Sequence, residues 1–381
     1  MIKLATIVGA RPQFIKAAAV SRAIQMHIAG GGEPAVTEIL IHTGQHYDHN
    51  MSGAFFDELE ISKPAYNLGI SQATHAEMTG RMLEEIETVL VDEAPDAVIV
   101  YGDTNTTLAG ALAAAKLPMT LAHVEAGLRS FDDAMPEETN RIVADRLSDL
   151  LFAPHAAAAE HLRREGTANE RIYVVGDVMY DAALHYAELA AERSRVLDHF
   201  DLRPGSYGLV TVHRADNVTD TERMRGICTG IKRSAETVPM IWPLHPRTRA
   251  ALEGQGVIAE LGAHVRLVDP VGYLDMITLE QSAAVILTDS GGVQKEAAFY
   301  RVPCVVLRDQ TEWVELIESG AAVLGGADAD TIAMAVPEMM QHKIPVAPFY
   351  GDGHAAEAIF SAIMSYVAAQ RTGSSCRGVS A

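Results

Sequence analysis

Three carboxylates stand out by where the sequence pattern places them. Asp103 follows the apolar run Ala97–Tyr101 in "VYGDTNTTLAG", and Glu125 follows Thr120–Val124 in "HVEAGLRS". Glu137 follows Pro136, which opens a helix in "MPEETNRIVADRL". Converging carboxylates raise one another's pKa, as general acid–base chemistry requires. Glu137 and Arg141 lie four apart, so on a helix they share a face, and a plain ion pair is the competing reading of these two. His213 in "TVHRADN" stands at the opening turn of the second half, where a lone histidine is as often structural as functional.

A second group of residues suits an anion. In "TDSGGVQKEAAF" an apolar run ends at Asp289, Ser290 suits a helix N-cap, and Gly291 and Gly292 let a ligand approach free backbone amides at the positive helix end. Phosphate binding follows, with an ordinary capped helix as the alternative. Glu296 lies one to two turns in, where it could accept hydrogen bonds from sugar hydroxyls. "GARPQFIK" repeats the strand–turn–helix shape without the full dinucleotide glycine pattern; Arg11 there makes an anion site plausible, with Lys16 one turn on. "HTGQHYDH" has irregular spacing, and no metal is expected.

These groups need elements to hold them. Short apolar runs alternate with long helical patterns, which predicts α/β architecture with parallel sheets and crossover helices. Strands are expected at Lys3–Val8, Glu38–Ile41, Ala97–Tyr101, Thr120–Val124, Leu150–Phe152 and Ile172–Val175, then at Gly208–Val212, Met240–Pro243, Val265–Val268, Ala284–Leu287 and Val305–Leu307. "DAALHYAELAAERSRVLDHFDLRPGS" reads as one long helix beside a domain junction. The expected division is a first Rossmann-like domain over 1–177, joined by a C-terminal helix over 355–370, and a second over 178–354, with a disordered tail over 371–381. Ligands in open α/β sheets bind outside the carboxyl ends of strands, so the two sets of strand ends would face one another across a cleft.

The chain has 381 residues, a formal charge of −20 and three cysteines without a pairing or metal motif. The charge argues against nucleic-acid or anionic-membrane surfaces, and the cysteines fit a reducing cytoplasm. "MIKLATIVGARPQF" lacks the layout of a secretion signal, and no apolar run is long enough to span a membrane.

Taken together, "GARPQFIKA", "HTGQHYD", "GDTNTTLAGALAA", "HVEAGLRS", "PEETNR", "VGDVMYDA", "HRADN" and "DSGGVQKEA", in this order, resemble the non-hydrolysing UDP-N-acetylglucosamine 2-epimerase family. The resemblance implies two doubly wound Rossmann-like domains of the glycosyltransferase-B type with a UDP-sugar between them, no metal and no other cofactor, and a homodimer. It implies interconversion of UDP-N-acetylglucosamine and UDP-N-acetylmannosamine by UDP elimination to a glycal and re-addition, within nucleotide-sugar metabolism for polysaccharide synthesis. Two sugar faces need two acid/base groups, and Asp103, Glu125 and Glu137 match those carboxylates. Arg141 and His213 are carried over as catalytic-site residues beside the departing diphosphate. Arg11, Lys16, Ser290, Gly291, Gly292 and Glu296 match UDP-contacting motifs. Met276 stands where an aromatic usually lies near the uracil, and Trp313 in "TEWVE" where the family has an arginine that contacts the nucleotide. An allosteric second-sugar motif is matched in part, by Gln45 and His46. Several segments look closer to a branch acting on UDP-2,3-diacetamido-2,3-dideoxy-glucuronic acid, for whose extra carboxylate His46, Asn50 and Arg129 are candidates. A hydrolysing epimerase releasing UDP and N-acetylmannosamine is the further alternative.

Overall fold

The computed structural model describes residues 1–45, 56, 58–71, 73–117, 119–344 and 350–377. Its internal contacts divide the chain into two units, residues 1–182 with 349–381, and residues 183–348.

The first unit is built on seven parallel strands, β1 (Ile2–Val8), β2 (Val36–His42), β3 (Tyr66–Asn67), β4 (Ala97–Tyr101), β5 (Thr120–Val124), β6 (Leu150–Ala153) and β7 (Ile172–Val174). Their order is β3-β2-β1-β4-β5-β6-β7, so the chain reverses direction across the sheet between β1 and β4. Strands buried on both faces read as unbroken apolar runs, which is why β4, "AVIVY", lacks alternation. Helix Asn105–Ala115 is rich in alanine and glycine for a packing reason: a β-carbon on Gly110 would lie 3.0 Å from Val100 and 3.1 Å from Ile7. Small residues let this helix press onto β1 and β4, and its N-terminus is brought down beside their ends.

The second unit holds β8 (Gly208–Thr211), β9 (Met240–Pro243), β10 (Val265–Val268), β11 (Val285–Thr288), β12 (Cys304–Val306) and β13 (Ala322–Leu324). The order β10-β9-β8-β11-β12-β13, again all parallel, repeats the doubly wound plan with its reversal between β8 and β11. The Thr211 and Thr288 hydroxyls meet at 2.5 Å just inside that reversal. Trp242, Ile227, Ile231 and Leu287 centre its core.

Two expectations change. The long helix after residue 180 is broken into Val178–Arg193 and Val196–His199. Ser194 supplies the break: its hydroxyl donates to Asp275 at 2.6 Å and accepts from the Val196 amide at 3.3 Å. The C-terminal helix runs from Ala355 to Arg377, past the point where the tail was expected to lose order. The Arg371 guanidinium anchors it by donating to Asp96 at 2.6 Å and to the Met1 carbonyl at 3.0 Å. Among the described residues no helix is long and apolar enough to cross a membrane.

Candidate active site

In the first unit the β1–β4 reversal is closed by one buried side chain. Gln13 accepts from the Gly9 and Ala10 amides at 2.9 and 3.0 Å, while its amide group donates to the Tyr101 carbonyl at 2.8 Å and to Thr107 Oγ1 at 3.0 Å. It therefore ties the end of β1, which leads to exposed Arg11, to the end of β4, which leads to Asp103. Gln13 was not singled out from the sequence, although a Gln at the third helical position is a capping signal.

Gly102, at φ +62, makes the turn that presents Asp103. A β-carbon on Gly102 would lie 3.2 Å from both Glu125 Oε2 and Lys16 Nζ, which are themselves paired. Asp103 pairs with Arg141, whose other terminal nitrogen donates to Glu138 at 3.0 Å. The carboxylates are thus interleaved with cations rather than crowded together. Lys16, expected at the nucleotide, has its ammonium against Glu125. Glu125 itself is in the left-handed region at φ +71, a conformation costing about 1–2 kcal/mol for a residue with a β-carbon. The Glu125 and Ala126 amides both donate to the Phe152 carbonyl, at 3.1 and 3.0 Å, and hold it there.

The spacing of Glu137 and Arg141 suggested a pair, but the structure pairs Arg141 with Glu138 and Asp103 instead. Glu138 also accepts from the Ser130 amide and hydroxyl at 2.9 and 2.8 Å. Burial alone would raise its pKa; the Ser130 bonds and the Arg141 charge outweigh this and hold it below the usual range. Glu137 stays half-buried in the first helical turn, outside these pairs.

Beneath this layer lies a histidine that sequence reasoning missed because it sits inside an apolar run. His123 is fully buried, with Nδ1 at 2.7 Å from Asp145 and Nε2 at 2.7 Å from the Gly102 carbonyl. Asp145 also accepts from the Gly127 amide at 3.1 Å and pairs with Arg129 at 2.8 Å. Arg129 spends the rest of its guanidinium on Glu165, at 2.6 and 2.7 Å, and on the Leu128 carbonyl. It is therefore unavailable as the cation for a sugar carboxylate. Gln45 accepts from the Thr106 amide and hydroxyl at 3.2 and 2.9 Å. His46 and Asn50 lie outside the described residues. His42 is structural: its Nδ1 accepts from the Gly44 amide at 2.7 Å, and burial lowers its pKa to about 4.

In the second unit, fully buried Asp289 organises the turn after β8. It accepts from the His213 and Arg214 amides at 3.1 and 3.0 Å and from Asn217 Nδ2 at 3.0 Å. His213 leaves about half of its side chain exposed, at 53%. Desolvation lowers its pKa, with the Asp289 carboxylate acting in the opposite direction. Ser290 caps helix Gly291–Phe299 by accepting from the Val293 amide at 3.5 Å. Above Gly292 there is room: a β-carbon there would meet nothing closer than 3.9 Å. Glu296 is buried near Glu280, whose own burial, and then the Glu296 charge, push it well above the usual range. Met276 is half-buried on helix Tyr273–Ser282.

Two doubly wound parallel units, one ending in a cation-balanced carboxylate cluster and the other in a capped glycine turn, make this a two-unit protein of the α/β class. The sequence profile described as UDP-N-acetylglucosamine 2-epimerase matches residues 30–364. The chain is 48% identical over 94% of its length to the UDP-2,3-diacetamido-2,3-dideoxy-D-glucuronate 2-epimerase of Pseudomonas aeruginosa, covering 98% of that protein. It is 43% identical to the UDP-N-acetylglucosamine 2-epimerase of Methanocaldococcus jannaschii, covering 94% of this chain and 98% of that one. A crystal structure of M. jannaschii UDP-GlcNAc 2-epimerase, in complex with UDP-GlcNAc and UDP, superposes with a TM-score of 0.85, covering 96% of this chain and all of that one at 43% identity. The chain belongs to the non-hydrolysing UDP-N-acetylglucosamine 2-epimerase family and is an isomerase.

Proposed function

We propose that this enzyme inverts carbon 2 of UDP-N-acetylglucosamine, giving UDP-N-acetylmannosamine. One carboxylate among Asp103, Glu125 and Glu137 removes the carbon-2 proton. The anomeric C–O bond breaks, its electron pair leaves with UDP, and the sugar becomes a glycal. A UDP oxygen then adds back at carbon 1 while another of the carboxylates returns a proton to the opposite face of carbon 2. Arg141 holds Asp103, Lys16 holds Glu125, and His213 serves the departing diphosphate. Ser290, Gly291 and Gly292 present amides to that diphosphate, Arg11 adds charge, Glu296 accepts from sugar hydroxyls and Met276 lies by the uracil. The resemblance extends the reading to a cytoplasmic homodimer.

The observation that carries this proposal is the convergence of Asp103, Glu125, Lys16 and Arg141 around the Gly102 turn. Incubation with UDP-N-acetylglucosamine in deuterated water tests it. Deuterium at carbon 2 with the nucleotide sugar retained is expected; release of free sugar and UDP would point to the hydrolysing reaction. A second reading, a UDP-2,3-diacetamido-2,3-dideoxy-glucuronate substrate, is favoured by the 48% identity to the P. aeruginosa enzyme. Parallel assays of both sugars separate the two.

A further inference from the structure

The Ser290–Gly292 turn lies against a buried indole. Trp313 is 7% exposed, and its Nε1–H is buried without a hydrogen-bond partner among the described residues. A β-carbon on Gly291 would lie 2.5 Å from Glu312 Oε1 and 3.2 Å from that nitrogen, so the carboxylate and the N–H both border the space over the first residue of helix Gly291–Phe299. Native proteins leave few buried donors unpaired, and one beside a glycine-lined helix N-terminus points to an acceptor brought by a ligand.

Several contacts fix the indole in that position. The Trp313 amide donates to Thr311 Oγ1 at 3.2 Å, and the Thr311 hydroxyl donates to Gln294 Oε1 at 2.6 Å. The Lys295 ammonium lies 4.4 Å from the ring centroid. The charge beside the turn suits an anion: Glu312, next to Gly291, is held by Arg308 at 2.6 Å and Arg214 at 3.6 Å, so two guanidiniums face one carboxylate. An indole supplies only a donor, so its ligand atom must be an acceptor, and a phosphate oxygen is the strongest one this surrounding favours.

We propose that Trp313 Nε1–H donates a hydrogen bond to a diphosphate oxygen of the bound nucleotide sugar. The position where the resemblance expects an arginine then keeps a donor but not a charge. This inference rests on reading the turn as the diphosphate site.

The test compares UDP and uridine binding by calorimetry in the wild type and in W313F, which keeps an aromatic ring for Lys295 and removes the N–H. W313F is expected to raise the UDP Kd by about tenfold or more while leaving the uridine Kd in place. The chain has two tryptophans, so W313F retains only Trp242. UDP should change indole emission in the wild type and not in W313F. Equal UDP affinity in both proteins, or an equal emission change, would overturn the proposal. A wild type that bound uridine and UDP alike would overturn the reading of the turn itself. Should W313F fail to fold, W242F leaves Trp313 as the sole emitter, and an emission unmoved by saturating UDP would be decisive against it.

Discussion

Lys16 and Glu125 form an ion pair whose charged atoms both lie 3.2 Å from where a β-carbon on Gly102, the residue that precedes Asp103, would stand. Lys16 lies on helix Arg11–Ala29 and Glu125 just past the end of β5, and both side chains are nearly buried. Removing one charge of such a pair leaves the other without compensation, whereas removing both does not. Lys16→Met is expected to destabilise the fold by about 3 kcal/mol in urea unfolding. Adding Glu125→Gln should recover part of that loss. A double variant no more stable than Lys16→Met would show that the pair is not coupled.

Asp103→Asn, Glu125→Gln and Glu137→Gln each keep size and remove a base. Turnover should fall by roughly two or more decades in each. UDP affinity should change little, because the proposed mechanism has these groups act on the sugar. A variant that turns over normally removes its residue from the proton-transfer set.

Gly292 is the permissive glycine of the Ser290–Gly292 turn, where a built β-carbon would meet nothing closer than 3.9 Å. Gly292→Val should therefore melt within a few degrees of the wild type while losing UDP affinity, since its branched side chain covers the amides at the helix start. Unchanged affinity in calorimetry would reduce the turn to a helix cap.

His42 gives a pH signature. Its folded pKa, lowered by burial to about 4, lies below the 6.5 of an ordinary solvated imidazole, so the unfolded chain binds the extra proton first. Stability from keeping the ring neutral is complete above about pH 6.5 and is lost as pH falls from there towards 4. Between pH 7 and 5 this amounts to about 2 kcal/mol. His42→Asn keeps an acceptor for the Gly44 amide and should flatten that part of the urea-unfolding pH profile. An unchanged slope would assign the dependence to other groups.

Much of this fold was legible because buried parallel strands write themselves as apolar runs. All eleven expected strands are present, shifted by at most a few residues at their ends. The two that were missed, β3 and β13, have two and three residues, too few to carry a pattern. The turn residues at strand ends were legible for the same reason, including Asp289. Pairings were not. Arg141 had two carboxylates within reach on its own helix, and Asp103, 38 positions away, helped to select Glu138. Arg129 looked like a spare cation only because its partner Glu165 lies 36 positions on. His123 was hidden because a histidine within an apolar strand gives no periodic signal, and its role depends on a carbonyl at another strand's end.

The left-handed backbone at Glu125 sets local comfort against chemistry. Glycine would relax that peptide and asparagine would tolerate it better, yet neither carries a carboxylate at the required reach. The ion pair with Lys16 opposes that relief: an uncompensated Lys16 would cost about 3 kcal/mol, more than the about 1–2 kcal/mol of backbone strain, so stability alone keeps glutamate here unless Lys16 changes with it. Thermostabilised variants of this chain chosen only for melting temperature are therefore expected to replace Lys16 and Glu125 together, and under the proposed mechanism to lose turnover when they do.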